Sequence, residues 1–88
     1  TTYYAESQYI SVPVGRAWRM VTYDWNYTTS RMYYPEIVLD NGSRININEA
    51  GSGYVIPGGR SFKIHTKPMY ASDYYTYKLK IYFHEDDA

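Results

Sequence analysis

Apolar and polar side chains alternate most regularly near the end of the chain. Between positions 75 and 84 the odd positions are apolar or aromatic, namely Tyr75, Tyr77, Leu79, Ile81 and Phe83. The even positions carry a threonine, two lysines, a tyrosine and a histidine. Because successive side chains of a strand point to opposite faces, this period of two predicts a half-buried antiparallel strand.

Other segments predict strands with shorter or less regular patterns. Phe62 and Ile64 alternate with polar neighbours and predict a second strand. Residues 16–25 predict a third, but apolar side chains occupy both odd and even positions there, so its inward face stays ambiguous. Residues 3–12 are expected to form an opening strand, and 53–56 a short strand before a Pro-Gly-Gly turn.

The segment from Glu36 to Asn48 predicts a β-hairpin whose turn contains Asn-Gly. A two-residue turn at Asn41-Gly42 would place Val38 opposite Ile45. A three-residue loop over 40–42, closed by a glycine bulge, would instead place Ile37 opposite Ile45. A slip of one residue exchanges the two faces, so burial favours the register that gathers the isoleucines. We therefore predict the three-residue loop.

Composition and turn spacing together predict the fold class. The chain has thirteen tyrosines, two tryptophans and two phenylalanines, but leucine only at Leu39 and Leu79. Tyrosine, valine, isoleucine and threonine favour strands, and the chain contains few of the residues that favour helices. Glycine or proline interrupts the pattern about every ten residues. We predict an all-β fold, a single antiparallel β-sandwich of immunoglobulin-like or jelly-roll-like type with about seven strands, and a small β-barrel as the alternative.

Charge and length restrict the organisation and the partners. Nine basic and nine acidic side chains cancel, so no global field attracts nucleic acid or an anionic membrane. We predict one β-sandwich domain over residues 1–88, in which 85–88 form a short acidic tail. Without that tail, nine bases face six acids, a net charge of +3. No apolar run approaches the roughly 20 residues of a membrane-spanning helix, so we expect no transmembrane segment.

Few residues resemble a chemical motif. Asp40 and Asn41 offer oxygens for calcium, but further acids do not follow them. His65 and His84 lack the spacing of a zinc site, and the chain has no cysteine. Asn26 and Asn41 each begin an Asn-X-Ser/Thr triplet, which accepts a glycan only in a eukaryotic secretory protein. No nucleophile with a base and no pair of acids stands out, so we expect no metal, no cofactor and no enzymatic activity.

The two clearest strands carry polar residues on one phase. If these strands were neighbours, they would form a basic patch of Lys63, His65, Lys78, Lys80, Tyr82 and His84. Such a patch would suit an anionic glycan, lipid headgroups or single-stranded nucleic acid. The simpler interpretation is that outward lysines keep a strand soluble and protect its edge.

Tyrosine and tryptophan suggest the leading functional hypothesis, since one small core cannot hide them all. The competing interpretation is that tyrosine supplies the bulk of a core poor in leucine. Exposed aromatic rings make good contacts at a low entropic cost. We therefore expect a non-enzymatic, secreted or surface-displayed binding module for a carbohydrate or a protein. Its predicted contacts are Trp25, Tyr27, Tyr33 and Tyr34 in one loop region, and Lys63, His65, Lys78, Lys80 and Tyr82 on the strand faces.

Two hypotheses from other classes stay open. The basic patch beside tyrosines would also suit a small secreted toxin or antimicrobial protein that acts on membranes. Edge strands and tyrosines would suit a self-associating coat or virion component. The balanced charge disfavours nucleic acid as a partner. A composition rich in Tyr, Thr, Ser, Asn and Gly, with no Cys, is typical of secreted or cell-surface β-domains.

Overall fold

A computed structural model describes residues 8–27, 31–51, 53–69 and 77–88. These residues form two antiparallel sheets, which we call sheet A, with strand order β1-β6-β3-β4, and sheet B, with order β5-β2-β7. The elements are β1 (Ile10–Ser11), β2 (Arg16–Tyr27), β3 (Glu36–Leu39), β4 (Arg44–Asn46), α1 (Ile47–Ala50), β5 (Val55–Pro57), β6 (Ser61–His65) and β7 (Tyr77–Asp87). The predicted all-β sandwich is confirmed. Its immunoglobulin-like or jelly-roll-like type stays a prediction.

Aromatic rings from both sheets meet in the core. The ring centre of Phe62 in β6 lies 5.7 Å from that of Phe83 in β7 and 6.1 Å from the indole of Trp18 in β2. Burial of such rings is the main favourable term available to a chain of this length without disulfides. The fully buried aliphatic side chains around them include Val12, Met20, Ile37, Ile47 and Ile56.

The hairpin between β3 and β4 has the predicted register. Ile37 lies opposite Ile45, and both pack in or against the core. Gly42 has φ +88°, which a glycine adopts without the steric cost that a side chain would add. The side chain of Asn41 accepts a hydrogen bond of 2.9 Å from the backbone N–H of Ser43. The three-residue loop over 40–42 is confirmed.

After this hairpin the chain makes one helical turn that the sequence pattern did not predict. Asn46 caps it, because its side-chain oxygen accepts a 2.9 Å hydrogen bond from the N–H of Asn48. The turn buries Ile47 and Ala50. Four residues are too few to show a helical period, so hydrophobic spacing alone could not reveal it.

A β-bulge explains why the inward face of β2 was ambiguous. Met20 pairs with Phe83 but Thr22 pairs with Tyr82, so Val21 is an extra residue on β2. Before the bulge, even-numbered residues point inward, as Met20 does. After it, odd-numbered residues do so, and Tyr23 packs against the core. The apolar residues that face the core are therefore even-numbered before the bulge and odd-numbered after it.

The two clearest strands are not neighbours in one sheet, so the condition for the basic patch is not met. β6 lies in sheet A and β7 in sheet B. Their apolar phases face each other across the core, as the contact of Phe62 with Phe83 shows. Their polar phases therefore lie on opposite outer faces of the sandwich. The basic patch is divided, with Lys63 and His65 on one side and Lys78, Lys80, Tyr82 and His84 on the other.

The acidic residues near the C-terminus do not form a tail. Residues 85–87 continue β7 and pair with residues 16–18 of β2. Glu85 accepts a 3.0 Å hydrogen bond from the indole N–H of Trp18, and Asp87 is ion-paired with Arg16. These partners hold the end of the strand in the sheet. Of the predicted opening strand, the described part contains β1 alone; residues 3–7 lie outside the described residues.

Two turns at one end of the sandwich approach each other closely at Gly58. A Cβ atom built on Gly58 would overlap the carbonyl oxygen of Arg16 and lie 2.7 Å from that of Pro13. Gly59 next to it donates its N–H to the carbonyl of Val12 at 2.9 Å. The turn after β5 therefore packs directly on the turn before β2, and only glycine fits at position 58.

Candidate functional site

The outer face of sheet A presents two rows of side chains across neighbouring strands. In one row Lys63, Val38 and Arg44 lie side by side. Tyr9 extends this row, since the Lys63 ammonium lies 5.3 Å from the centre of its ring. The second row consists of His65, Glu36 and Asn46, in register across β6, β3 and β4.

A cleft of about 350 Å³ lies over the second row. We call it the tyrosine cleft, and its lining residues are Tyr33, Tyr34, Glu36, Asn46, His65 and Lys67. Both tyrosines are 47% exposed, so their rings are open to a ligand. The lining combines two aromatic rings with amide, carboxylate, imidazole and ammonium groups, a mixture that suits a polar ligand with an apolar face.

Two buried residues hold the tyrosines in place. Met32 is 3% exposed and pairs with Pro68 as an isolated β-bridge. Pro35 is buried, and its carbonyl accepts a 2.8 Å hydrogen bond from the N–H of Ile47. The chain is thus fixed on both sides of Tyr33 and Tyr34, so their exposure follows from the backbone path between two buried residues.

Lys67 and Tyr33 form the wall between the tyrosine cleft and a neighbouring one. The Lys67 ammonium lies 5.1 Å from the centre of the Tyr33 ring, within the range of a cation–π interaction. The N–H of Tyr33 donates to the Lys67 carbonyl at 3.2 Å. The second cleft, of about 370 Å³, is lined by the same two residues with Pro68 and Met69.

Glu36 and Asp40, two acidic side chains on this side of the molecule, are each ion-paired. Glu36 accepts a 2.8 Å hydrogen bond from Arg44. Asp40, at the hairpin turn, accepts one of 3.0 Å from Arg60 and one of 3.2 Å from the N–H of Ser61. The hydrogen bond from Arg60, followed by that from Ser61, lowers the pKa of Asp40 below its ordinary value despite partial loss of water. Asp40 therefore joins the hairpin to β6.

The residues predicted to bind a ligand fall into three places. Tyr33, Tyr34 and His65 line the tyrosine cleft, and Lys63 lies in the next row of the same face.

Trp25 and Tyr27 lie at the far end of β2, not in a loop. The ring of Trp25 contacts those of Tyr27 and Tyr77 with centres 5.6 and 5.4 Å apart. Lys78, Lys80 and Tyr82 lie on the outer face of sheet B. The structure thus brings together four of the nine predicted residues, and residues 28–30 of the predicted loop lie outside the described residues.

Sequence reasoning missed three lining residues, namely Glu36, Asn46 and Lys67. Glu36 and Asn46 were noticed only as hairpin residues, although the predicted register already placed both beside each other on the outward phase. Lys67 lies two residues after the end of β6, and its proximity to Tyr33 depends on the pairing of residues 31–33 with 67–69. Nothing in the local pattern of either segment indicates that pairing.

The outer face of sheet B contains a different charged cluster. Asp86 accepts a 3.2 Å hydrogen bond from Arg19 and lies 2.6 Å from Nδ1 of His84. Partial loss of water raises the pKa of Asp86, but the hydrogen bonds from Arg19 and His84 outweigh it and bring the pKa below the ordinary value. All three side chains belong to neighbouring strands, so the cluster ties β7 to β2.

In the described ranges, no three His, Cys, Asp or Glu side chains gather as metal ligands would. None of the helical residues there form a span long and apolar enough to cross a membrane. No family model, curated protein or solved structure matches this chain.

Proposed function

We propose that this domain is a non-enzymatic, secreted or surface-displayed binding module whose tyrosine cleft takes a carbohydrate. The observation that supports it most is the pair of half-exposed rings of Tyr33 and Tyr34, held between the buried Met32 and Pro35. A sugar ring has an apolar face that covers an aromatic ring and polar edges that need hydrogen bonds. A tyrosine offers both contact area and a hydroxyl at low entropic cost.

Polar side chains around the rings supply the groups that sugar hydroxyls require. The Asn46 amide is oriented by its hydrogen bond to the helical turn, and Glu36 is oriented by Arg44. An amide both donates and accepts hydrogen bonds, whereas a carboxylate only accepts them. These groups are already ordered by the fold, so binding costs little additional conformational entropy.

A glycan array with matched tyrosine variants tests this function. Tyr33→Ala and Tyr34→Ala should each weaken binding about tenfold, which corresponds to about 1.4 kcal/mol. The control is Tyr82→Ala, because Tyr82 is 46% exposed but lies on the outer face of sheet B. Equal binding by all three variants, or no glycan bound at all, would contradict the proposal. If the ligand is a protein instead, no glycan would give a signal, and the Tyr33 and Tyr34 variants would lose binding to that protein.

Self-association is a second candidate, favoured by the position of β7. This strand of eleven residues lies at the edge of sheet B, and an edge strand offers a second row of backbone hydrogen-bonding groups. An antiparallel pair of β7 strands centred on Tyr82 would place Lys78 of one copy opposite Asp86 of the other. Light scattering that gives only a monomer mass over a wide concentration range would exclude it.

The membrane-active hypothesis loses the surface that motivated it. It required the basic residues of β6 and β7 on one face, and these strands lie in different sheets.

A further inference from the structure

Among the described side chains, the outer face of sheet A carries more bases than acids. The described ionic side chains of its two rows, the tyrosine cleft and the hairpin turn are Arg44, Arg60, Lys63, Lys67, Glu36 and Asp40. Four bases thus face two acids, and each acid is paired with an arginine, at 2.8 and 3.0 Å. Both lysines lie over tyrosine rings, Lys63 over Tyr9 and Lys67 over Tyr33. A local excess of one sign attracts ligands of the opposite sign.

Lys67 brings positive charge to the lining of the cleft. Its ammonium lies 5.1 Å from the centre of the Tyr33 ring, and both residues line both clefts. A sugar ring that covers Tyr33 or Tyr34 would therefore present an anionic substituent at its edge to Lys67. Charge-assisted hydrogen bonds of this kind are roughly twice as strong as neutral ones.

The described lysines of the opposite outer face have other neighbours. On sheet B, Lys80 lies opposite Asp24 and Lys78 opposite Asn26. The Arg19 side chain on that face forms an ion pair with Asp86 at 3.2 Å. Lys80 is therefore a matched control for Lys67, since it is a lysine on an outer face at a distance from the cleft.

From these contacts we infer that the tyrosine cleft selects acidic saccharides, whose carboxylate or sulfate contacts Lys67 while a sugar ring covers Tyr33 or Tyr34. This inference rests on the proposed carbohydrate-binding function and adds the ligand class. The shared chemistry is an anion on a pyranose ring. Two probes separate its possible sources, trigalacturonic acid for the carboxylate and a heparin-derived tetrasaccharide for the sulfate.

Calorimetric titration of the whole chain with matched probes tests the inference. Trigalacturonic acid should bind about tenfold more tightly than its methyl ester at about 50 mM NaCl, and this preference should shrink at about 500 mM, where screening is strong. Lys67→Met should bring acid and ester within about twofold of each other. Lys67→Arg should retain the preference, and Lys80→Met should leave it unchanged. Circular dichroism of each variant reports whether the fold is intact.

The outcomes separate the inference from the function on which it rests. If acid and ester bind equally and Tyr33→Ala weakens both, the carbohydrate function stands and the acidic preference is overturned. If only the tetrasaccharide binds, and Lys67→Met abolishes this, the anion is a sulfate and the inference holds. If Lys80→Met removes the preference while Lys67→Met does not, or if no probe binds, the inference is overturned. If neither tyrosine variant changes binding of any glycan, the proposed function itself fails.

Discussion

Lys67 and Tyr33 are joined twice, once through their side chains and once through the backbone. The ammonium lies 5.1 Å from the ring centre, and the Tyr33 N–H donates to the Lys67 carbonyl at 3.2 Å. The backbone hydrogen bond fixes the distance between the two backbone positions from which these side chains extend. The cation and the ring are therefore arranged before any ligand arrives, which reduces the entropic cost of binding.

The buried Met32 should be necessary for this arrangement. Met32→Ala would remove a side chain that is 3% exposed, and we expect it to lower the free energy of unfolding by about 2–4 kcal/mol. Met69→Ala is the control, because Met69 is 42% exposed and its truncation should cost less than about 1 kcal/mol. Urea denaturation monitored by tryptophan fluorescence measures both. Equal losses for the two variants would show that Met32 does not anchor the tyrosines.

The close contact at Gly58 predicts a large effect from one methyl group. Gly58→Ala would force a Cβ against the carbonyls of Arg16 and Pro13, so two turns must separate. Gly15→Ala has no atom within 4 Å of the new Cβ but requires φ +84°, a strain of about 1–2 kcal/mol. We expect Gly58→Ala to lower the denaturant midpoint clearly more than Gly15→Ala does. The reverse order would mean that the two turns are not packed as described.

The bulge at Val21 predicts that β2 tolerates the loss of this residue better than the loss of a paired one. Deleting Val21 would make Thr22 follow Met20 directly, so Tyr23 and Trp25 would still face the core, whereas deleting Asp24 would turn Trp25 outward. The side chain of Val21 itself is 44% exposed, so Val21→Thr should cost less than about 1 kcal/mol. Thermal unfolding by circular dichroism compares the variants. A Val21 deletion that lowers the melting temperature as much as deletion of Asp24 would contradict the bulge.

Acid should destabilise the domain partly through Asp86. Its pKa in the folded chain lies below the ordinary value of 3.8, because hydrogen bonds from Arg19 and His84 outweigh the loss of water. Such a carboxyl contributes stability above the pKa of the unfolded chain, and this contribution disappears as the pH falls through the folded pKa. Asp86→Asn should therefore lower the melting temperature at about pH 6 more than at about pH 3. Parallel curves for the variant and the wild type would exclude this role.

Local patterns sufficed for the elements in which one face is buried throughout. The alternation before Phe83 and the need to gather Ile37 with Ile45 gave β7 and the hairpin register correctly. The inward face of β2 could not be predicted, because the bulge at Val21 inserts one residue and exchanges the phases. Local sequence contains no direct signal for such an insertion.

The site was harder to predict than the fold for a related reason. Alternation shows which side chains of a strand share a face, but not which sheet the strand joins. β6 and β7 have the same pattern, yet they face each other across the core. Tyr33 and Tyr34 were predicted from the excess of aromatic residues, whereas Lys67 was missed because the segment that pairs beside it, residues 31–33, is distant in the sequence. Which residues line the site therefore depends on pairing between segments that are distant in the sequence.

The most direct test of the tyrosine cleft is a chemical-shift map. The whole chain, labelled with ¹⁵N, would be titrated with trigalacturonic acid while its backbone amide resonances are followed. We predict that the largest shifts cluster at Tyr33, Tyr34, Glu36, Asn46 and Lys67, and that Lys80 and Tyr82 on sheet B do not move. Shifts centred on sheet B, or spread evenly over both faces, would contradict a ligand site at the tyrosine cleft.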